Sequence, residues 1–529
     1  MAFFPDLLQQ LSSPDWALPL LPALGYAETH YKFRLPWSPL HRRQPELIAD
    51  VPATVAPGEP CPLFLVARHA DLFPVTLRSL ACDVRRFADG ADAPQILQRT
   101  IEREVRLDCP FHFLEFDLGL PDEPGEWSVN VRIDWTDRRG RSRSALNANW
   151  PGIGNLSLRV VRFGHGSPVP ADWRGGDLHV HTAYTSDPVE FGASPAMLQR
   201  AAKAMGMDWF ACTDHSYDFS WSSADTREPC DPKAKRRALL EEISELPDGP
   251  VALPGEEVSC GNCLGQNVHM LVLGNEEHIE GLGDSGRRWF NNRPDLPVPE
   301  AIERAAGLPC YAAHPRPTMG LAERAVFRRG VWHPEDLRPG LTGIQFWNGA
   351  TGQDFLNGRA FWIRRLMQGE FWLPGGGTDA HGDLNRSTGV KTPLVSLWAD
   401  RDHLFGAVRT WVPVGSGKFG AGELAAALKG PATLVGNGPW LEVRRESSGA
   451  VYVHAKSTPD LGEIERVVLF TGLRGAVAEA AQAVGPESGR KLGHEVELRV
   501  EPSPQARHFR AEVVTTKKAR ALVSALRLS

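Results

Sequence analysis

Long hydrophobic runs are missing from this 529-residue sequence. No segment reaches the ~18 consecutive apolar residues that cross a bilayer, so no membrane partner is expected. A basic leader is also missing. The first Lys or Arg is Lys32, so the n-region of a secretory signal is absent and a cytoplasmic location is expected. There is no cationic excess: 58 Lys and Arg stand against 64 Asp and Glu, for a net charge of −6. That balance argues against a broad nucleic-acid-binding face, though a nucleotide remains admissible as a small substrate. The 8 cysteines are spread between positions 61 and 310 of a large chain, which is not the pattern of a disulfide framework. Cys260-Gly-Asn-Cys263 is the one close pair. It lacks two further ligands for a structural zinc site and reads as free thiols in a turn. No Ser-His-Asp or Cys-His nucleophile arrangement stands out, and no internal repeat of domain size.

The composition that remains is globular, with 42% hydrophobic and 23% charged residues. The length implies about two to four domains. Residues 1–44 form an N-terminal arm, apolar and interrupted by proline, with a short helix expected over Phe4–Leu11. Residues 45–165 show short apolar or alternating runs separated by turns such as Ala56-Pro-Gly-Glu59, and are expected to form a β-sandwich. After a Pro- and Gly-rich linker, residues 173–437 switch to alternating strand and helix patterns. Ser194-Pro195, for example, reads as a helix N-cap followed by proline at the first helical position, and Gly206 as the stop. Residues 438–529 return to β-type patterning and are expected to form a small C-terminal β-domain, with Ala476–Val484 as a possible short helix inside it.

The chemistry-bearing residues lie in the middle segment. Asp177-Leu178-His179-Val180-His181-Thr182 places two histidines two apart on an expected strand, where both rings project to one face. His215, Glu257, His269, His314, Asp379 and His381 follow on or just past later expected strands, and Asp187 lies in the loop after the first. Repeated strand–helix units with polar strand ends are the pattern of an α/β barrel or a related sheet, where strand C-termini converge on a site. These nine positions hold six of the 17 histidines. Mixed imidazole and carboxylate donors suit Zn, Mn or Fe, and nine donors exceed the needs of one tetrahedral ion. Two to three divalent ions with a bridging carboxylate are therefore expected.

The motifs Asp-Leu-His-Val-His-Thr, Thr-Asp-His, Pro-Gly-Glu-Glu-Val, Ala-His-Pro and Gly-Thr-Asp-Ala-His occur in that order. Together they resemble the successive motifs of the PHP (polymerase and histidinol phosphatase) superfamily over about residues 173–437. The resemblance implies a multidomain α/β plus β protein. In it a distorted (β/α)7 barrel with a trinuclear site is flanked by the β-sandwich and the C-terminal β-domain. It also implies a ligand set. His179, His181, Glu257 and Asp379 hold one metal; Glu257 bridges to a second, bound by His269 and His314; Asp187, His215 and His381 hold the third. Glu257 rather than Glu256 is chosen because the family's glutamate precedes a β-branched residue, here Val258, and adjacent strand residues cannot face one site. At Asp187 the chain departs from the family spacing, and Pro188 stands where the family has glycine, so a capping role for Asp187 stays open. The order of domains and the Asn437-Gly-Pro turn are similar to a branch containing carbaryl (carbamate ester) hydrolases.

These readings lead to a multinuclear metal-dependent hydrolase using a metal-bridging hydroxide, with a phosphoesterase of small organic phosphates as the first expectation. A carboxylester or carbamate ester hydrolase is the alternative, and a non-catalytic metal-stabilised binding scaffold a third. Arg316, Arg386 and Asn348 are the candidate substrate-binding and catalytic residues, with arginine suited to a phosphate or carboxylate. Trp289, Phe290, Trp332 and Trp347 are the aromatics expected near the mouth of the site.

Overall fold

The computed structural model describes residues 44–87, 95–149, 156–186, 191–225, 228–285, 292–320, 324, 327–386, 389–391, 396–398, 401–485 and 492–528. The Phe4–Leu11 helix, Asp187, Trp289 and Phe290 lie outside the described residues. Strand makes up 42% of the structure and helix 15%, with five α-helices among the described residues. The expected helix-rich (β/α)7 barrel is therefore corrected: the chain is mostly β, built on large sheets.

The middle segment shows why the pattern misled. Its strands are β1 (Trp173–His181), β2 (Trp209–Cys212), β3 (Val251–Gly261), β4 (Asn267–Leu273), β5 (Cys310–Ala313), β6 (Gly343–Asn348) and β7 (Leu373–Gly377), hydrogen-bonded in that order. β8 (Ala380–His381) returns to pair with β1, and β9 (Arg409–Pro413) pairs antiparallel with β1. β9 leads through Leu434–Gly436 into C-terminal strands, giving one 15-stranded sheet. The pairs β1–β2, β2–β3, β5–β6 and β6–β7 are parallel, but β3–β4 and β4–β5 are antiparallel. The β3–β4 link is a hairpin whose last pair is Gly261 and Asn267, where a regular β/α unit would place a crossover helix. Ala476–Val484 also differs: Ala480–Val484 is an edge strand pairing with Ile464–Leu473. Its run of small residues suits either state, and the ladder decides.

The helices are α1 (Pro195–Ala204), α2 (Pro232–Ser244), α3 (Val298–Arg304), α4 (Gln353–Met367) and α5 (Ala421–Leu428). Ser194 accepts from the Met197 N–H at 3.2 Å, Pro195 begins α1, and Gly206 turns the chain away at φ +64°. The buried face of α1, Met197, Leu198, Ala201 and Ala202, packs with Val180 and Phe210 and with Ile48 and Phe64 of the N-terminal region. The described strands between Glu46 and Arg162 form two sheets sharing one core that includes Leu63, Leu65, Leu80, Trp127 and Ile133. A second join is polar: buried Asp50 accepts from the Leu384 and Arg386 N–H groups, each at 3.1 Å. No helix among the described residues is long and apolar enough to cross a membrane.

Candidate metal centre

In β1, Leu178 and Val180 point into apolar clusters, so the pleat turns His179 and His181 to the opposite face. Their Nε2 atoms approach to 3.2 Å. Asp379, in the turn between β7 and β8, reaches both: its Oδ1 lies 3.3 Å from His179 Nε2 and 3.1 Å from His181 Nε2. That turn is possible because Gly377 has no side chain. A Cβ there would lie 2.6 Å from the His179 nitrogen. Asp379 itself takes φ +57° and His314 φ +25°, backbone states that cost a non-glycine residue about 1–3 kcal/mol and cluster at functional sites.

Glu257, fully buried in β3, stands at the centre. Its Oε1 lies 2.7 Å from His269 Nδ1 and 2.9 Å from His314 Nε2. Its Oε2 lies 2.8 Å from His215 Nδ1, 3.2 Å from His179 Nε2 and 3.3 Å from His181 Nε2. Glu256, on the opposite face, instead meets His278 at 2.8 Å and the Ile279 N–H. His381 stacks on His181 with ring centroids 4.0 Å apart. Eight of the nine expected ligands thus meet in one cluster; the ninth, Asp187, is outside the described residues.

Hydrogen bonds set the ring tautomers. His381 Nδ1 donates to the Asp379 carbonyl at 3.0 Å, which leaves its Nε2 a buried lone pair with no partner. His181 Nδ1 meets Thr185 Oγ1 at 3.2 Å, and that hydroxyl donates to Asp214 at 2.8 Å, so Nε2 is the nitrogen that His181 turns inward. Glu257 Oε2 and His215 Nδ1 face one another at 2.8 Å, yet neither has a hydrogen bond of acceptable geometry. Orphaned, convergent lone pairs of this kind are what a cation would satisfy, so the residues fit a divalent cluster.

The protonation pattern of the metal-free site agrees. Burial opposes charge on His181 and His269, but the carboxylates Asp379, Glu257 and Asp284 outweigh it and raise both to about 10. Burial pushes His215 down to about 4. Glu257 and Asp379 are held well below the usual carboxylate range, because the surrounding histidines outweigh the cost of burial. In effect, protons on imidazole neutralise carboxylates here, a role divalent ions would take over.

Of the three non-ligand candidates, Asn348 donates to Asp379 Oδ2 at 3.1 Å and accepts from Gln345 at 2.8 Å. Gln345 Oε1 in turn accepts the His314 N–H at 3.0 Å, so Asn348 orients a ligand. Arg386 is buried and engaged inside the protein, with Asp383 at 2.7 Å and the His381 carbonyl at 2.8 Å. It braces the His381 turn, and it also lines the cavity. Arg316 does line the cavity at the cluster, about 640 Å³ in volume, with its guanidinium 4.5 Å from the Phe361 ring centroid. Its Nε is buried without a hydrogen-bond partner. Burial, Arg364 and Arg365 lower its pKa, so an anion would be favoured there. Trp332 also lines the cavity; Trp347 is a packing residue whose indole N–H bonds to the Gly349 carbonyl at 3.0 Å. Cys260 and Cys263 are free thiols.

Asp284 escaped the sequence reading, since no recognisable motif surrounds it. It accepts from His269 Nε2 at 2.9 Å, from Ser259 and from Arg329 Nε at 3.2 Å, and so fixes the His269 tautomer with Nδ1 toward Glu257. Asp214 was within sight in Thr213-Asp214-His215, but its bracing role shows only through Thr182 and Thr185. Asp284→Asn is expected to weaken divalent metal binding by about 10–100-fold, read by equilibrium dialysis against a chromogenic chelator. An unchanged affinity would show that Asp284 does not tune His269.

No family model matches the chain, and no curated protein matches it. Among solved structures, it is similar to a β-D-mannosidase from Dictyoglomus thermophilum at 10% identity and a TM-score of 0.21, over 92% of this chain and 66% of that one. It is similar to a fragment of native α2-macroglobulin from Escherichia coli at 10% identity and a TM-score of 0.16, over 92% and 99%. A Bacteroides uniformis β-glucuronidase 2 gives 9% identity and a TM-score of 0.18, over 91% and 61%. The chain spans just under two thirds of the mannosidase. Scores of this size assign neither fold nor activity.

Proposed function

We propose that the chain is a multinuclear metal-dependent hydrolase of the PHP type, acting as a phosphoesterase on a small organic phosphate. The observation that carries this reading is the cluster around Glu257, where buried lone pairs of His215, His381 and Glu257 converge without hydrogen-bond partners. Bound divalent ions in such a site supply an acidified water and neutralise charge developing on the substrate. His179, His181, Glu257 and Asp379 would hold one ion, and His269 and His314 a second with Glu257. His215 and His381 belong to a third position.

The protein's own groups do the rest. Asn348, Gln345, Asp214 and Asp284 hold the ligand side chains in their orientations, so little reorganisation is needed when substrate enters. Arg316 supports the phosphate reading, because a buried, unpartnered guanidinium nitrogen on the cavity wall matches an anionic group. The second reading, a carbamate or carboxylic ester hydrolase, draws on Met319, Trp332 and Phe346 in the same wall.

The test pairs elemental analysis with hydrolysis of p-nitrophenyl phosphate and 1-naphthyl N-methylcarbamate by the wild type and Arg316→Ala. Two to three ions per chain are expected. Arg316→Ala should lower kcat/KM for the phosphate ester by about 10–100-fold, the loss of one charged hydrogen-bond partner, and leave any neutral carbamate turnover alone. Carbamate turnover without phosphate turnover would favour the second reading. Less than one ion per chain with no hydrolysis would overturn both.

A further inference from the structure

We propose that His403 is the proton donor to the leaving group, an inference that rests on the hydrolase reading above. Of the five histidines lining the cavity, four (His215, His269, His314 and His381) belong to the metal cluster, and His403 is the fifth. It ends the 3₁₀ turn Arg401–His403, and the backbone before β8 fixes its ring. The Thr378 carbonyl lies 2.7 Å from His403 Nδ1 and can only accept, so Nδ1 carries a proton. Thr378 directly precedes the ligand Asp379. From the other side Gly349, at φ +66°, presses close: a Cβ there would lie 2.0 Å from the Asp402 carbonyl and 3.3 Å from His403 Nδ1. The ring is therefore anchored at the junction of the β6 and β7 strand ends, where the ligand turn begins.

With Nδ1 committed, Nε2 is the nitrogen left for exchange with a bound substrate. No described residue bonds to it, and the residue is exposed to the cavity. Two other acids in the wall are engaged, Asp383 with Arg386 at 2.7 Å and Asp354 with the Thr318 N–H at 2.8 Å, while Asp402 is exposed beside His403. Among the described side chains, the charged groups near His403 are Asp402, its chain neighbour, and Asp383.

The proton balance is closed. As the bond from phosphorus to the ester oxygen breaks, the Nε2 proton moves to that oxygen and the alcohol leaves neutral. The attacking water gives its hydroxyl to phosphorus, and its other proton restores the imidazolium. No oxidant or further reactant is needed. An alkoxide leaving group depends on this transfer, and a nitrophenolate, stable at neutral pH, does not.

His403→Asn keeps an amide donor for the Thr378 carbonyl and removes the transferable proton. For this variant kcat on benzyl phosphate is expected to fall by about 10²–10⁴-fold, while kcat on p-nitrophenyl phosphate falls less than about 5-fold. Metal content by elemental analysis should match the wild type. If only esters or carbamates are hydrolysed, the same contrast is read on the benzyl and 1-naphthyl N-methylcarbamates. Equal losses on good and poor leaving groups, or no loss on either, would overturn the assignment. A metal-loaded wild type inactive on all four substrates would overturn the hydrolase reading itself.

Discussion

Glu257→Gln is expected to abolish hydrolysis and to lower the metal content by at least one ion per chain. The substitution keeps the volume and removes the charge at the point where five imidazole nitrogens converge within 3.3 Å of one carboxylate. A carboxamide would offer one oxygen and an NH2 group with two donor hydrogens, and that group would face imidazole lone pairs that should point at a cation. The expected loss in kcat is at least about 10²–10³-fold, the scale for removing one preorganised electrostatic group, with more from the missing ion. Elemental analysis beside single-turnover kinetics checks both parts. Full metal content with wild-type turnover in Glu257→Gln would remove Glu257 from the centre of the site. Glu256→Gln is the control for position: it lies one residue away on the opposite face, with His278, and should retain the metals.

Arg510→Ala is expected to cost about 3–5 kcal/mol of stability without touching the cluster, the scale for breaking a buried ion pair from one side. Arg510 is fully buried in the strand Ala506–Thr515. It holds Glu479 through Nε at 2.8 Å and Nη2 at 2.6 Å, and Nη1 bonds to Glu512. Glu512 is shared with Arg359 of α4 at 2.8 Å, and His508 reaches Glu479 at 2.9 Å. The guanidinium also lies 3.9 Å from the Phe470 ring centroid. Truncation would strand two carboxylates between the C-terminal sheet and the helix that opens with the cavity residues Gln353 and Asp354. Urea unfolding followed by tryptophan fluorescence reads the loss, and a change below about 1 kcal/mol would place the pair among ordinary surface bridges.

The same network carries a pH signature. Burial acts to raise the Glu479 pKa, but the bonds from His508 and Arg510 outweigh it and hold the group at about 2. A carboxylate with a depressed folded-state pKa contributes stability above its unfolded value, near 4.5, and loses it as pH falls toward 2. The wild type should therefore lose stability more steeply than Arg510→Ala across that interval.

Much of the site could be read from the chain, and for a definite reason. Several of the clustered donors, such as His215 and His314, follow strand ends, and a strand end announces itself by an apolar run stopping at a polar pair, as at Cys212-Thr213-Asp214-His215 or Ala312-Ala313-His314. Strand alternation says that only one of Glu256 and Glu257 can face the site, and the family resemblance, through Val258, chose Glu257. The supporting residues were another matter. Asp284 lies 15 residues from His269 in sequence, and His403 lies 25 residues from Thr378. Neither separation has a periodicity to reveal it; both contacts arise where unrelated loops are folded over the same strand ends.

The fold was misjudged by the same local logic. Strand and helix patterns were found in the middle segment, but local pattern does not say whether consecutive strands run parallel or antiparallel. The hairpin between β3 and β4, and the continuation of one sheet through Arg409–Pro413 into the C-terminal strands, depend on long-range ladder pairing. Arg386 shows the limit for single residues. A charge near a ligand motif reads as a substrate anchor, and only the structure shows that this cavity residue also holds Asp383 and the His381 carbonyl. What the sequence by itself determined is the set of donors and the face each one takes, because two-residue alternation is a property of the chain. Which donors meet, which tautomers they hold and which sheet carries them were decided only by tertiary structure, because those depend on partners far apart in sequence.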